Sequence, residues 1–125
     1  MSEQRRDLAA LRIPGGWRVA FNNLVEIESA AELTARERDR YLSDDLLSRE
    51  NAREKLFLDV GWHPAGDPSG TYRLAVVRGT WDDVPGRLEH ADLSVIQDAL
   101  DMVMDFVDRR LDLDTVQAVL DAYAE

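Results

Sequence analysis

Apolar and polar residues alternate with period two from Trp17 to Ile27. Trp17, Val19, Phe21, Val25 and Ile27 share one parity, and Arg18, Asn22, Glu26 and Glu28 share the other. Successive side chains of an extended chain point to opposite faces, so the first set is expected on the buried face of a strand. The Pro14-Gly15-Gly16 turn before it ends the N-terminal segment, and it lacks the lysine and spacing of a phosphate-binding loop. The same alternation returns at Leu56, Leu58, Val60 and Trp62, set against Lys55, Phe57, Asp59 and Gly61. It runs again through Tyr72, Leu74 and Val76, set against Arg73, Ala75 and Val77. These two runs read as an antiparallel hairpin joined by the loop His63–Gly70, with Pro64 and Pro68 stiffening it and Gly66 and Gly70 permitting positive φ. Thr80–Val84, carrying Trp81, is expected to add a short edge strand before Pro85-Gly86 breaks it.

The period changes to that of a helix in the last third. Leu93, Ile96, Leu100, Val103 and Val107 repeat at three and four residues behind Asp92, an N-cap residue; Val95, Ala99, Met102 and Phe106 widen the stripe. Such a helix is expected to lie across a sheet. A shorter last helix is expected to follow, with Val116, Val119, Leu120 and Tyr123 as its apolar stripe and Asp114 with Gln117 resembling a capping box. Residues 29–53 carry no clean period. Leu33 to Tyr41 reads as a short exposed helix or ordered loop, with Leu46 and Leu47 tucked inward. Asp44-Asp45 reads as surface charge or a helix cap rather than a metal or acid pair. The fold class is therefore α+β: a small antiparallel sheet of three to four strands packed by a long C-terminal helix plus a shorter last helix.

The chain has 125 residues, 45% of them apolar and 32% charged, which fits one folded domain over 1–125. Residues 1–12 are expected to be a flexible or loosely packed segment. They lack the continuous apolar core of a secretory signal, and nowhere does an apolar run approach the ~20 residues of a bilayer span. With no cysteine there is no disulfide framework and no thiolate chemistry. A cytoplasmic monomer is the expectation.

Charge changes the picture more. The formal net charge is −10 and it is unevenly placed. Residues 1–80 hold 13 acids and 12 bases, a balance of −1; residues 81–125 hold 12 acids against Arg87, Arg109 and Arg110, a balance of −9. Asp98, Asp101, Asp105 and Asp108 recur at three, four and three residues on the long helix. At ~100° per residue they span roughly an 80° arc opposite the apolar stripe. Like charges at these spacings cost a few tenths of a kcal/mol per pair. The arc is read as a solvent-facing acidic ridge, in which Asp101 and Asp105 should tolerate replacement by lysine. Asp112 is either the foot of that ridge or part of the inter-helix turn. A negative face repels nucleic acid and anionic membranes and attracts basic proteins.

Catalytic chemistry is thin. His63 stands at the hairpin end near Asp59, Asp67 and Ser69, but loop residues this close in sequence rarely adopt triad geometry. His90 precedes the long helix. Two separated histidines without HxH or HExxH give no zinc pattern, and no catalytic residue, metal or cofactor is expected. Trp62, His63 and Trp81 are candidates for a binding surface beside the acidic ridge.

The stretches 13–28, "IPGGWRVAFNNLVEIE", and 56–83, "LFLDVGWHPAGDPSGTYRLAVVRGTWDD", resemble small bacterial immunity proteins of polymorphic-toxin and contact-dependent growth inhibition systems. Ile13, Pro14, Gly16 and Trp17 carry the opening motif. Leu58, Asp59, Gly61, Trp62 and Pro64 carry the hairpin motif, and Trp81 with Asp82 the last; together they cover roughly a third of the chain. The Arg-rich segment 36–40 and the second C-terminal helix lie outside the resemblance. The resemblance implies a protein that binds and neutralises a cognate toxin domain, such as a basic nuclease, without touching nucleic acid directly. The alternative from another class is a non-catalytic accessory or regulatory module that binds a basic protein within a larger assembly.

Overall fold

The structure is a computed structural model that describes residues 15–124; the N-terminal segment 1–12 lies outside the described residues. Five strands form one sheet in the order of the chain: β1 (Arg18–Asn22), β2 (Leu47–Asn51), β3 (Leu56–His63), β4 (Thr71–Arg78) and β5 (Gly86–His90). Every neighbouring pair is antiparallel. Three helices accompany it: α1 (Ala35–Tyr41), α2 (Leu93–Asp108) and α3 (Val116–Asp121). The α+β class thus holds, with five strands instead of three or four.

One face of the sheet carries the main core. Leu58, Val60, Leu74, Val76 and Leu88 point inward from the central and last strands and share a core with Ile96, Leu100, Val103 and Met104 of α2. Each fully buried aliphatic side chain contributes about 1.5–3 kcal/mol, so this layer dominates the stability of the domain. Asp92 caps α2, its carboxylate accepting from the Ser94 amide at 2.9 Å. The cap and the apolar stripe are where the periodicity put them; Met104, also fully buried, extends the stripe on one flank. Beyond α2, α3 rests on Gly86. A Cβ there would stand 2.7 Å from Leu120 Cδ1 and 2.9 Å from Val116 Cγ1, so the glycine is what lets α3 lie close to β5.

Four local expectations need correction. First, the alternation in β1 breaks at a bulge between Val19 and Phe21. Val19 pairs with Arg49 on the inner face, but Phe21 pairs with Ser48 and is turned outward, 47% exposed. An extra residue reverses the parity of the strand beyond it, while Val25 and Ile27, past the end of β1, are buried or packed on the core as expected. Second, residues 29–53 contain a strand as well as a helix. Thr34 and Glu37 form a capping box that starts α1, with each side chain bonded to the other's amide at 3.1 Å. After it comes β2, whose inward positions are Leu47, Arg49 and Asn51. Third, residues 80–84 form a turn, not an edge strand. The Asp83 amide donates to the Thr80 carbonyl, the Arg78 guanidinium binds the Asp83 carboxylate at 2.7 Å, and the edge strand is β5. Fourth, Asp112 and not Asp114 starts the C-terminal turn, accepting from the Asp114 amide at 3.1 Å. Asp114 pairs with Arg78 at 3.0 Å, and Val119 is exposed, because α3 is short and contacts the sheet through Val116 and Leu120.

Gln117 is engaged elsewhere too. Its side-chain oxygen accepts from the Arg87 amide at 2.7 Å, and its nitrogen donates to the Arg87 carbonyl at 2.9 Å. A side-chain amide thus fills the amide and carbonyl of Arg87 on the free edge of β5.

Candidate interaction surfaces

The four aspartates of the ridge are on α2 as the spacing requires, but they are not equivalent. Asp98 and Asp105 are exposed on the outer side, and Asp105 pairs with Arg109 one turn on at 3.0 Å. Asp101 and Asp108 lie on the flank that turns back toward β1 and β2. Asp108 accepts from the indole nitrogen of the buried Trp17 at 3.1 Å, tying the start of β1 to the end of α2. Asp101 is half-buried and acts on Arg49, which projects from β2 into the core at 1% exposure and meets Met104 Sδ at 3.2 Å. Burial pushes the Arg49 guanidinium below its ordinary value, and the Asp101 charge opposes that push. The expectation of a wholly solvent-facing ridge is therefore corrected. Asp98 and Asp105 form its exposed part, with Asp105 beside Arg109, whereas Asp101 and Asp108 also serve the fold. Asp112 is exposed in the turn between α2 and α3, so it is both cap and surface charge.

The second surface is the face of the sheet opposite α2. Trp81 is 54% exposed and meets Phe57 edge-on, with ring centroids 5.6 Å apart. Beside this pair is a hollow of about 260 Å3 bordered by Asp44, Asp45, Asp59, His63, Arg73 and Arg87. A local irregularity builds it. The Trp62 amide donates to the Ser43 carbonyl and the Leu46 amide to the Val60 carbonyl, so Asp44 and Asp45 arch over Gly61. A Cβ on Gly61 would overlap the Asp44 carbonyl, which explains the glycine within the hairpin motif. The arch brings two carboxylates beside Asp59. Partial burial, then the Asp45 and Asp44 charges, push Asp59 up to about 6.

Trp62 and His63, adjacent in sequence, are separated by the sheet. His63 lies on this outer face with the acids, whereas Trp62 points inward at 5% exposure. The Trp62 indole meets Tyr72 edge-on at 4.9 Å and donates to the Asp67 carbonyl at 2.7 Å, closing the hairpin loop. Trp62 is thus a core residue that shows only an edge in a cleft on the helix side. Asp67 binds the amide and hydroxyl of Ser69 at 2.9 and 2.8 Å, a local turn that holds its carboxyl below the usual range. Ser69, Asp67 and His63 do not come together as a triad. His90 accepts at Nδ1 from the Asp92 amide at 2.9 Å and leads the chain into α2.

Among the described residues, no group of three or more His, Asp or Glu side chains is placed to hold a metal. Among them also, no helix is long and apolar enough to cross a membrane. What the surfaces offer is charge, one exposed indole and shape, which are means of docking. Sequence reasoning missed Arg49 and took Asp59 only as a motif residue near His63; an arginine at an inward position of a strand is the signal that could have found the first. Comparison of the chain with protein-family models, with curated proteins and with solved structures gives no match.

Proposed function

We propose that this chain is a non-catalytic binding protein of the immunity type. It docks on a basic toxin domain, such as a nuclease, and blocks it in the cytoplasm. The observation that carries the reading is the −9 balance of residues 81–125, four of whose twelve acids are on α2, with Asp98 and Asp105 exposed. Acids at helical neighbour positions repel one another, so a face kept only for solubility is better made of mixed charge. A basic partner converts that repulsion into attraction, and complementary charge raises association rates by 10–1000-fold at low salt. The resemblance in the hairpin and opening motifs supports the same assignment.

The test starts from the neighbouring gene, which supplies the candidate toxin domain. Association is followed by stopped flow at low and high ionic strength, for the natural chain and for Asp98→Lys with Asp105→Lys. The double variant should associate about tenfold more slowly at low salt and lose most of its salt dependence. Equal rates, or binding without suppression of the toxin's activity, would sink the reading. The second outcome would favour an accessory module of a larger assembly.

A further inference from the structure

A cleft of about 580 Å3 opens at the N-terminal end of α2, on the opposite side of the molecule from the exposed indole. Segment 26–30 forms one wall and residues 90–97 the other; Leu42, Trp62 and Tyr72 form the floor. Its walls are apolar where Ile27, Ala30 and Leu93 meet, and its rim carries Glu26, Glu28 and Asp92. The three acids stand without an arginine or lysine among the cleft's lining, in which His90 is the one basic side chain.

Tyr72 gives the cleft its chemistry. The residue is 3% exposed, yet its hydroxyl has no hydrogen-bond partner among the described residues. Burial and the nearby Asp92 raise its ionisation to about 12, so it stays neutral and keeps both its proton and its acceptor lone pairs. Water reaches this hydroxyl through the cleft, and a guest with a charged donor exchanges that water for a stronger hydrogen bond. The positive end of α2 does not make this an anion site. Asp92 already occupies the first turn through the Ser94 amide, and three carboxylates outweigh a residual half charge.

We infer that the cleft receives an arginine side chain of the protein partner, its stem between Ile27 and Leu93 and its guanidinium between the Glu26, Glu28 and Asp92 carboxylates and the Tyr72 hydroxyl. Arginine suits it because the stem covers apolar wall while a planar fork of five donors serves several acceptors at once. The inference rests on the reading that the partner is a basic protein and names the anchor that such a partner would insert.

The experiment uses the full chain, labelled with nitrogen-15, and acetyl-arginine amide as probe. The neutral control is acetyl-citrulline amide, which has the same shape without the charge. The arginine compound should give saturable shifts of the Trp62 indole N–H and of the Ile27, Leu93 and Gln97 amides, and the citrulline compound should give none. Tyr72→Phe should weaken binding about tenfold, as expected for losing a hydrogen bond to a charged group. Glu26→Gln with Glu28→Gln, both exposed, should weaken it at least as much without disturbing the fold. Identical shifts from both compounds, no shift into the tens of millimolar, or undiminished binding by the glutamine pair would overturn the inference. Asp98 and Asp105 do not line the cleft, so failure of their charge reversal bears on the proposed function alone.

Discussion

Reversing the charge of Asp101 should damage the protein, whereas reversing that of Asp98 should not. Both are ridge residues three apart on α2, and sequence spacing treats them alike. Asp101, however, faces Arg49, a guanidinium almost wholly out of water. At an effective dielectric near 20, opposite charges held roughly 6–8 Å apart, beyond ion-pair contact, attract by about 2–3 kcal/mol. Half-exposure of Asp101 lets solvent screen roughly half of that, leaving about 1–2 kcal/mol for Asp101→Asn to lose. A lysine turns the attraction into repulsion, though its long stem can swing outward. Relief of repulsion from neighbouring aspartates returns a few tenths of a kcal/mol. The net expectation for Asp101→Lys is a loss of about 2 kcal/mol, or about 6–10 °C in Tm for a domain of this size. Asp98→Lys should stay within about 0.5 kcal/mol of the natural chain. Urea denaturation read by tryptophan fluorescence measures both. A cycle of Arg49→Met and Asp101→Asn then isolates the pair, with an expected coupling of about 1–2 kcal/mol. Equal stability of the two lysine variants, or zero coupling in the cycle, would refute the assignment of Asp101 to the fold.

Asp59→Asn should change how stability depends on pH. The folded value near 6 lies above the ordinary 3.8, so this group's contribution is complete below about pH 4 and is lost as pH rises through 6. The variant should therefore match the natural chain at pH 4 and exceed it by about 1 kcal/mol at pH 8, after discounting for partial exposure; a constant difference across that range in thermal melts would rule this out. Gly61→Ala should cost about 3 kcal/mol, because the new methyl meets the Asp44 carbonyl and the arch must shift, breaking hydrogen bonds worth about 1 kcal/mol each. Calorimetry showing a loss below 1 kcal/mol would contradict that geometry. Gln117→Ala should accelerate hydrogen exchange at the Arg87 amide at least tenfold while lowering global stability by only about 1 kcal/mol.

The parts of the fold legible in the sequence are those where burial and period agree. The hairpin of β3 and β4 and the helix α2 are regular, and the inner face takes only apolar residues there. Where the inner face takes Arg49 and Asn51, the alternation persists but its hydrophobic code is lost, so β2 reads as polar loop. The bulge in β1 hides in another way, since nothing in a run of alternating residues marks the extra one that turns Phe21 outward. The ridge was half legible. Helical spacing fixes that four aspartates share an arc, but which flank of that arc meets β1 and β2 depends on how α2 crosses the sheet. The cleft with Tyr72 was not legible, because its walls are some sixty residues apart and the register of β4 with β5 sets only the His90 wall beside Tyr72.

The side-chain amide that sits against Arg87 has a consequence for how this protein meets other chains. The outer rim of an antiparallel sheet is a template on which any extended peptide can crystallise into a further strand, the first step toward fibres. At β5 the middle of that template, at Arg87, is already occupied by a mimic of a peptide group, presented by a helix of the same chain. At the opposite rim, β1 is only five residues long and its ladder is interrupted by a bulge. A partner therefore cannot readily recognise this protein by lengthening its sheet, a route that accepts almost any sequence. It is left with faces and clefts, where fit depends on side chains, and a protein limited in this way is suited to being selective.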